Sequence, residues 1–265
     1  MPKLTVEPKT EINYVIDDFT WPWEPTDSKE TILCVHGVAE CTKVWVRWVP
    51  YLARLGRVIR MDQRGYGDST PMDEDYAWSL DRLADDVATL IEAEAPGGVH
   101  LIGAKIAGPV TIRTATRHPH LVKSLSLIGI PIVGPTEPEW LAVVEEKDVR
   151  AWAEMTMDER LKGMPQTMKD WWIETMAQTA RSTQIGFFKF VSSIDAREDL
   201  SKIACPTLVI ASDNARRSIQ VTKDWQEKIA GSELVTVPGD GYHAAATEAV
   251  TCAEAAANFI AHQIS

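Results

Sequence analysis

Cysteine is scarce in this chain: four among 265 residues, Cys34, Cys41, Cys205 and Cys252, with no CxxC spacing. That excludes a fold built on disulfides or a thiolate metal site. Two of the four lie in apolar strand-like runs, where thiols act as small buried hydrophobes, so no structural disulfide is expected. Basic charge is also in short supply. Lys and Arg number 27 against 38 Asp and Glu, a formal net charge of −11, and such a field repels phosphate backbones and anionic lipid. Nucleic acid and membranes are therefore not expected partners. No window approaches the roughly 18 apolar residues of a membrane helix, and the first residues lack the basic start and apolar run of a secretory signal, so the chain reads as cytoplasmic. HxH, HExxH and clustered-carboxylate spacings are missing, as are Gly-x-Gly-x-x-Gly and P-loop sequences. No metal and no other cofactor is predicted.

What is present is the composition of an ordinary globular protein, 45% hydrophobic and 25% charged. At about 150 residues per domain the length fits one large domain or two small ones. Short apolar, β-branched runs at 31–36, 57–62, 99–103, 124–130, 207–212 and 233–237 alternate with helical-period segments at about 43–55, 80–95, 106–117, 218–230 and 246–262. That alternation argues for βαβ units around a mostly parallel central sheet flanked by helices, an α/β fold. Most of the runs are apolar at successive positions, as strands covered on both faces should be. Ser79, just before Leu80-Asp81-Arg82, is an expected helix N-cap. From about 135 to 199 the alternation stops. This stretch has helical period, is rich in Met and charge, and carries Trp140, Trp152, Trp171 and Trp172. It reads as a helical cap inserted into a core formed by 1–134 and 200–265, because an ordinary αβ connection needs only a handful of residues.

The segment LIGAKIAG at 101–108 follows a strand and opens a helix. Its small residues Gly103, Ala107 and Gly108 allow a sharp turn and close helix–strand approach, which projects the tip residue, Lys105, out of the sheet. In this respect the segment resembles the nucleophile elbow of the α/β-hydrolase fold family, where the tip is usually Ser, Asp or Cys. Three further motifs fall in the order that family would have them. HGVAE at 36–40 is similar to its His-Gly loop, DQRGYGDS at 62–69 to its D-x-R-G-x-G-x-S turn, and PGDGYH at 238–243 to the loop carrying its catalytic histidine. The resemblance runs from about Thr31 to the C-terminus. It implies catalytic roles for Lys105 and His243, and an oxyanion hole formed by the backbone N–H groups of Val38 and Ile106. His36 would shape its loop through hydrogen bonds to backbone.

The sequence departs from the family at two places. Where the acid is usually found, three residues beyond a Gly whose place is taken by Ser212, stands Ala215; Asp213 is the nearest carboxylate and the candidate partner of His243. Lysine at the tip also changes the chemistry. An ester attacked by the amine would leave an amide, which hydrolyses too slowly to turn over. A lysine whose pKa is pulled from about 10.4 towards neutrality by burial has other options. It can form an imine with a ketone, serve as a general base, or hold a carboxylate or oxyanion while His243 activates water. An inert ion pair with Glu40 or Asp213 is the bland alternative.

Together these features predict a cofactor-independent hydrolase of a small, mostly apolar ester, lactone or activated C–C bond. The alternatives are a lyase or decarboxylase working through a Lys105 imine, or a non-catalytic binder of a small molecule. Glu40, Trp152, Trp171 and Phe187 are expected to contact the substrate, the tryptophans and Phe187 as walls of an apolar pocket. A homodimer is compatible with this reading.

Overall fold

In the computed structural model, which describes residues 2–21, 23 and 30–264, eight strands form one sheet. They are β1 (Lys3–Glu7), β2 (Thr10–Asp17), β3 (Glu30–Val35), β4 (Gly56–Met61), β5 (Val99–Ala104), β6 (Val122–Ile128), β7 (Thr207–Ala211) and β8 (Glu233–Thr236). The order across the sheet is β1-β2-β4-β3-β5-β6-β7-β8. Strand β2 runs antiparallel to both β1 and β4, and the pairs from β4 to β8 are all parallel. The six expected strands are therefore joined by an N-terminal hairpin, β1 and β2, that the apolar-run criterion passed over. Its residues alternate in polarity instead: apolar Ile12 and Tyr14 sit between polar Glu11, which is exposed, and Asn13, which is buried against Asp62.

Buried residues alternate between two cores. Ile32, Cys34, Val58 and Ile102 face helices α1 (Val49–Leu52) and α10 (Ala249–Ile264), whereas Leu33, Val35, Ile59 and Leu101 face α2 (Leu80–Glu94) and α3 (Ala107–Arg117). This is the two-layer covering that continuous apolar runs require. Helix α2 starts where its cap predicts, with the Ser79 hydroxyl accepting from the Arg82 N–H at 3.1 Å. The expected helix over 43–55 is not continuous. It is a 3-10 turn at Thr42–Trp45 followed by the single turn α1, where Pro50, lacking an N–H, is accommodated in the first turn. All four helices between β6 and β7 lie in the stretch read as the cap: α4 (Pro138–Glu146), α5 (Val149–Arg160), α6 (Gln166–Ala177) and α7 (Arg181–Val191). The chain leaves and re-enters the sheet through one ladder, in which Gly134 N–H donates to Ile194 O and Ala196 N–H to Ile132 O. Two shorter helices complete the order, α8 (Ile219–Gln226) and α9 (Ala244–Thr247).

The DQRGYGDS turn is scaffolding. Both Asp62 oxygens accept backbone or amide N–H groups from Thr42, Asn13 and Asp68, and Arg64 forms a two-pronged, buried ion pair with Asp86 of α2. The bend from β5 into α3 depends on two glycines. A Cβ on Gly103 would lie 2.5 Å from Thr111 Oγ1, and one on Gly108 would lie 2.4 Å from Ile130 Cβ. No side chain fits between the helix and the sheet at either point. Gly108→Ala is expected to destabilise the protein by about 1–3 kcal/mol through overpacking. A denaturant midpoint equal to that of the native protein would show that Ile130 moves aside at no cost.

Candidate active site

Lys105 stands at the tip of the β5–α3 bend with φ of +57°, the left-handed region that residues other than glycine rarely occupy. Such a conformation costs roughly 1–2 kcal/mol, and the packing of the two glycines sustains it. The side chain is buried, lies at the floor of a cavity of about 580 Å³, and its Nζ donates to the Tyr242 carbonyl at 2.8 Å. The amine also sits 3.8 Å from the centre of the Tyr242 ring. Two effects compete over its charge. A ring face favours an ammonium by about 0.5–2 kcal/mol. Burial of an ion costs several kcal/mol, and the Arg217, Arg160 and Arg216 guanidiniums repel a further cation; only Glu40 works the other way. The second group wins, and the Lys105 pKa is held well below the usual lysine range.

Behind Lys105 lies a buried histidine–carboxylate pair. His243 Nε2 and Glu40 Oε1 are 2.7 Å apart, and Glu40 Oε2 accepts the Gly37 N–H at 2.9 Å. Burial alone would raise the Glu40 pKa, but His243, His36 and Arg160 together bring it down to about 2. Burial pulls the His243 pKa below the usual imidazole value, reinforced by the Lys105 and Arg160 charges and opposed by Glu40. At neutral pH the pair is thus a carboxylate and a neutral imidazole. His243 Nδ1 is buried with no partner among the described residues, and the Trp172 ring meets the imidazole edge-on at 4.9 Å.

Several expected residues stand elsewhere. Asp213 is exposed, and its carboxylate accepts the Ile219 N–H at 3.2 Å near the start of α8; Glu40 occupies the place at His243 for which Asp213 was the candidate. Glu40 itself contacts His243 and does not line the main cavity. The aromatic expectations are corrected too. Trp152 is wholly buried against Trp140 and Phe188, Phe187 packs among Tyr66, Trp78 and Phe190, and Trp171 is exposed beside Trp172. None of the three lines the cavity, because tryptophan at helical spacing here serves helix packing. The apolar wall is Ile132, Val133, Trp140, Val221 and Trp225.

Val38 and Ile106 do line the cavity, next to Lys105, and the N–H of neither has a hydrogen-bond partner among the described residues. His36 bonds to backbone through both ring nitrogens, to Gly37 O at 2.6 Å and from Gln63 N–H at 3.0 Å. Tyr242, from the PGDGYH loop, also lines the cavity, as do Arg160, Arg216 and Arg217, which no motif flagged. The available signal was the pair Arg216-Arg217 directly after β7, held by Asn214, whose side-chain oxygen accepts both backbone N–H groups at 3.1 Å.

The chain belongs to the α/β-hydrolase fold family, whose model matches residues 30–249. Over 260 residues it is 23% identical to the bifunctional esterase/perhydrolase DCH of Acinetobacter calcoaceticus, covering 89% of this chain and 93% of that one. Epoxide hydrolase B of Mycobacterium tuberculosis is 28% identical over 111 residues, 42% of this chain and 31% of that protein. The match to the rat bifunctional epoxide hydrolase 2 spans 23% of that protein's length. Among solved structures, the enol-lactonase from Burkholderia xenovorans LB400 superposes with a TM-score of 0.87 at 17% identity, over 98% of this chain and 100% of that one. Among the described residues, no three His, Cys, Asp or Glu side chains converge as metal ligands, and no helix is long and apolar enough to cross a membrane.

The depressed lysine has a consequence for stability. Burial holds the Lys105 pKa down in the folded state, whereas the unfolded chain takes up a proton below about pH 10.4, so the depression weakens the fold below that value and stops doing so above it. Lys105→Met is expected to raise the melting temperature at pH 7, by about 1.4 kcal/mol of stability for each unit of pKa depression. The gain should shrink as the pH approaches 10. A variant that melts no higher than the native protein at pH 7 would mean that the ammonium is stabilised in place.

Proposed function

We propose that the protein is a cofactor-independent hydrolase of a small, mostly apolar carbonyl compound, an ester, a lactone or an activated C–C bond, in which His243 acts as acid and base. The observation that carries this reading is the assembly at one end of β5: a buried amine of depressed pKa at the elbow tip, a histidine–carboxylate pair, and two unpaired backbone N–H groups of residues that line the same cavity as Lys105. A substrate carbonyl placed at the N–H groups of Val38 and Ile106 is polarised there, and its oxygen gathers negative charge as water adds. The water's proton passes to Lys105 on the cavity wall or to His243, whose imidazole Glu40 holds in orientation. The tetrahedral intermediate then collapses, and the same proton goes to the departing alkoxide or carbanion. Water supplies every atom added, and no redox step is required. The nearly full-length likeness to an esterase/perhydrolase supports a carbonyl–oxygen substrate.

This reading makes Glu40, in place of Asp213, the residue that orients the histidine. Glu40→Gln keeps the shape and removes the charge, and is expected to lower kcat with a p-nitrophenyl ester about 10²–10⁴-fold. Asp213→Asn should leave kcat within twofold. If the two variants behave in the opposite way, the assignment of the acid fails. His243→Ala is expected to abolish turnover, and retained activity would discard the mechanism. Because the His243 pKa lies below the ordinary imidazole value of about 6.5, the acid limb of the rate profile should fall below that pH. Lys105→Ser restores a hydroxyl at the tip. A burst of p-nitrophenol from that variant would show that the oxyanion donors and the histidine serve covalent ester hydrolysis once an oxygen replaces the amine.

A further inference from the structure

The cavity carries more cationic surface than the proposed chemistry uses. Three guanidiniums line it, Arg160 from α5 and Arg216 and Arg217 from the loop after β7, and their surroundings differ. Arg216 is fully engaged: it pairs with both oxygens of Glu159 at 2.8 and 2.9 Å and with Glu137 at 2.5 Å, while packing on the Trp140 and Tyr242 rings. Its role is to brace the wall. Arg160 is 2% exposed and stands 4.0 Å from Glu40, whose oxygens are already bound by His243 and Gly37; its Nε has no partner among the described residues. Arg217 has no carboxylate within 4.0 Å among the described residues. One of its terminal nitrogens donates to the Gly129 carbonyl at 2.7 Å, and its other guanidinium N–H groups are unengaged. The Tyr242 hydroxyl is likewise buried without a partner among the described residues, and its ring packs against Arg160 and Arg216.

A guanidinium offers five donors, and a buried one left partly unsatisfied, as Arg160 is, beside a half-buried one with no carboxylate, as Arg217 is, forms an arrangement consistent with an anionic ligand. Arg216 is matched by Glu137 and Glu159 and Arg160 faces Glu40 across 4.0 Å, so among the described residues Arg217 is the guanidinium of this cavity with no carboxylate within 4.0 Å. Glu137, paired with Arg216, also lines the cavity; the part of the wall formed by Ile132, Val133, Trp140, Val221 and Trp225 is apolar and suits a hydrocarbon body.

We propose that the substrate carries a carboxylate held between Arg217 and Arg160, with the Tyr242 hydroxyl as a third donor, and an apolar body that spans the wall to the reacting carbonyl at Lys105. This rests on the hydrolase reading and narrows its substrate class to carbonyl compounds bearing an acid group. Arg217 and Arg160 are then specificity-determining, and Arg216 is a positioning residue.

The test is equilibrium binding, which does not depend on turnover. 4-Phenylbutanoate and 4-phenylbutanol share one hydrocarbon body, differ in the acid group and contain no hydrolysable bond. Titration of each into the native protein, followed by the fluorescence of Trp140 and Trp225 and by calorimetry, should show the acid binding about ten- to a hundredfold more tightly than the alcohol. Arg217→Met should bring the acid down to the affinity of the alcohol while leaving the alcohol unchanged, Arg217→Lys should keep part of the preference, and Asp213→Asn should keep all of it. An acid that binds no better than the alcohol, or that binds not at all, overturns the proposal, as does a preference that survives both Arg217→Met and Arg160→Met. Retained ester hydrolysis in His243→Ala would instead strike the hydrolase reading and leave the binding result intact.

Discussion

A carboxylate that is 2% exposed, Glu40, is the fixed point of this site. Unpaired, such a group would take a proton or unfold its surroundings, because desolvating an anion costs several kcal/mol. It stays ionised because three elements converge on it: the Gly37 N–H from the loop after β3, the His243 imidazole from the loop after β8, and the more distant Arg160 charge from α5. Losing any one of them leaves a buried charge under-satisfied. Glu40 therefore ties the sheet, the histidine loop and the inserted helices into one electrostatic unit.

The same charge sets the state of its neighbours. Glu40 works to keep His243 protonated, and burial together with Lys105 and Arg160 works against it, which leaves a neutral imidazole near neutral pH. Lys105 is drawn towards its charged form by Glu40 and away from it by burial and three guanidiniums. The site consequently holds two nitrogen bases of depressed pKa beside cationic walls, a distribution that favours developing negative charge on a bound molecule over a resident ammonium.

Much of the architecture was legible in the residue order. Parallel strands covered on both faces write themselves as continuous apolar runs, and the elbow, the His-Gly loop and the histidine loop each carry local turn chemistry. The N-terminal hairpin was harder to see because Ile12 and Tyr14 alternate with polar neighbours. The pairing at His243 was not legible, since Glu40 and His243 are 203 positions apart and only the folded sheet brings them within 2.7 Å. Asp213 had the better claim by sequence position, yet in space it serves the start of α8. Aromatic content misled for a related reason. Trp152 and Phe187 are large and apolar, but side-chain size does not reveal whether a helix turns a residue towards a void or towards another helix.

The left-handed backbone at the tip of the β5–α3 bend is flanked on either side of residue 105 by close glycine contacts, at 103 and 108. Whatever group occupies that position is lifted to the same spot, at the same angle, against the same donors. Scaffold and reagent are thereby uncoupled: one codon can exchange amine for alcohol, thiol or acid while the platform stands. A lineage built on such a bend is free to change its reaction without having to refold.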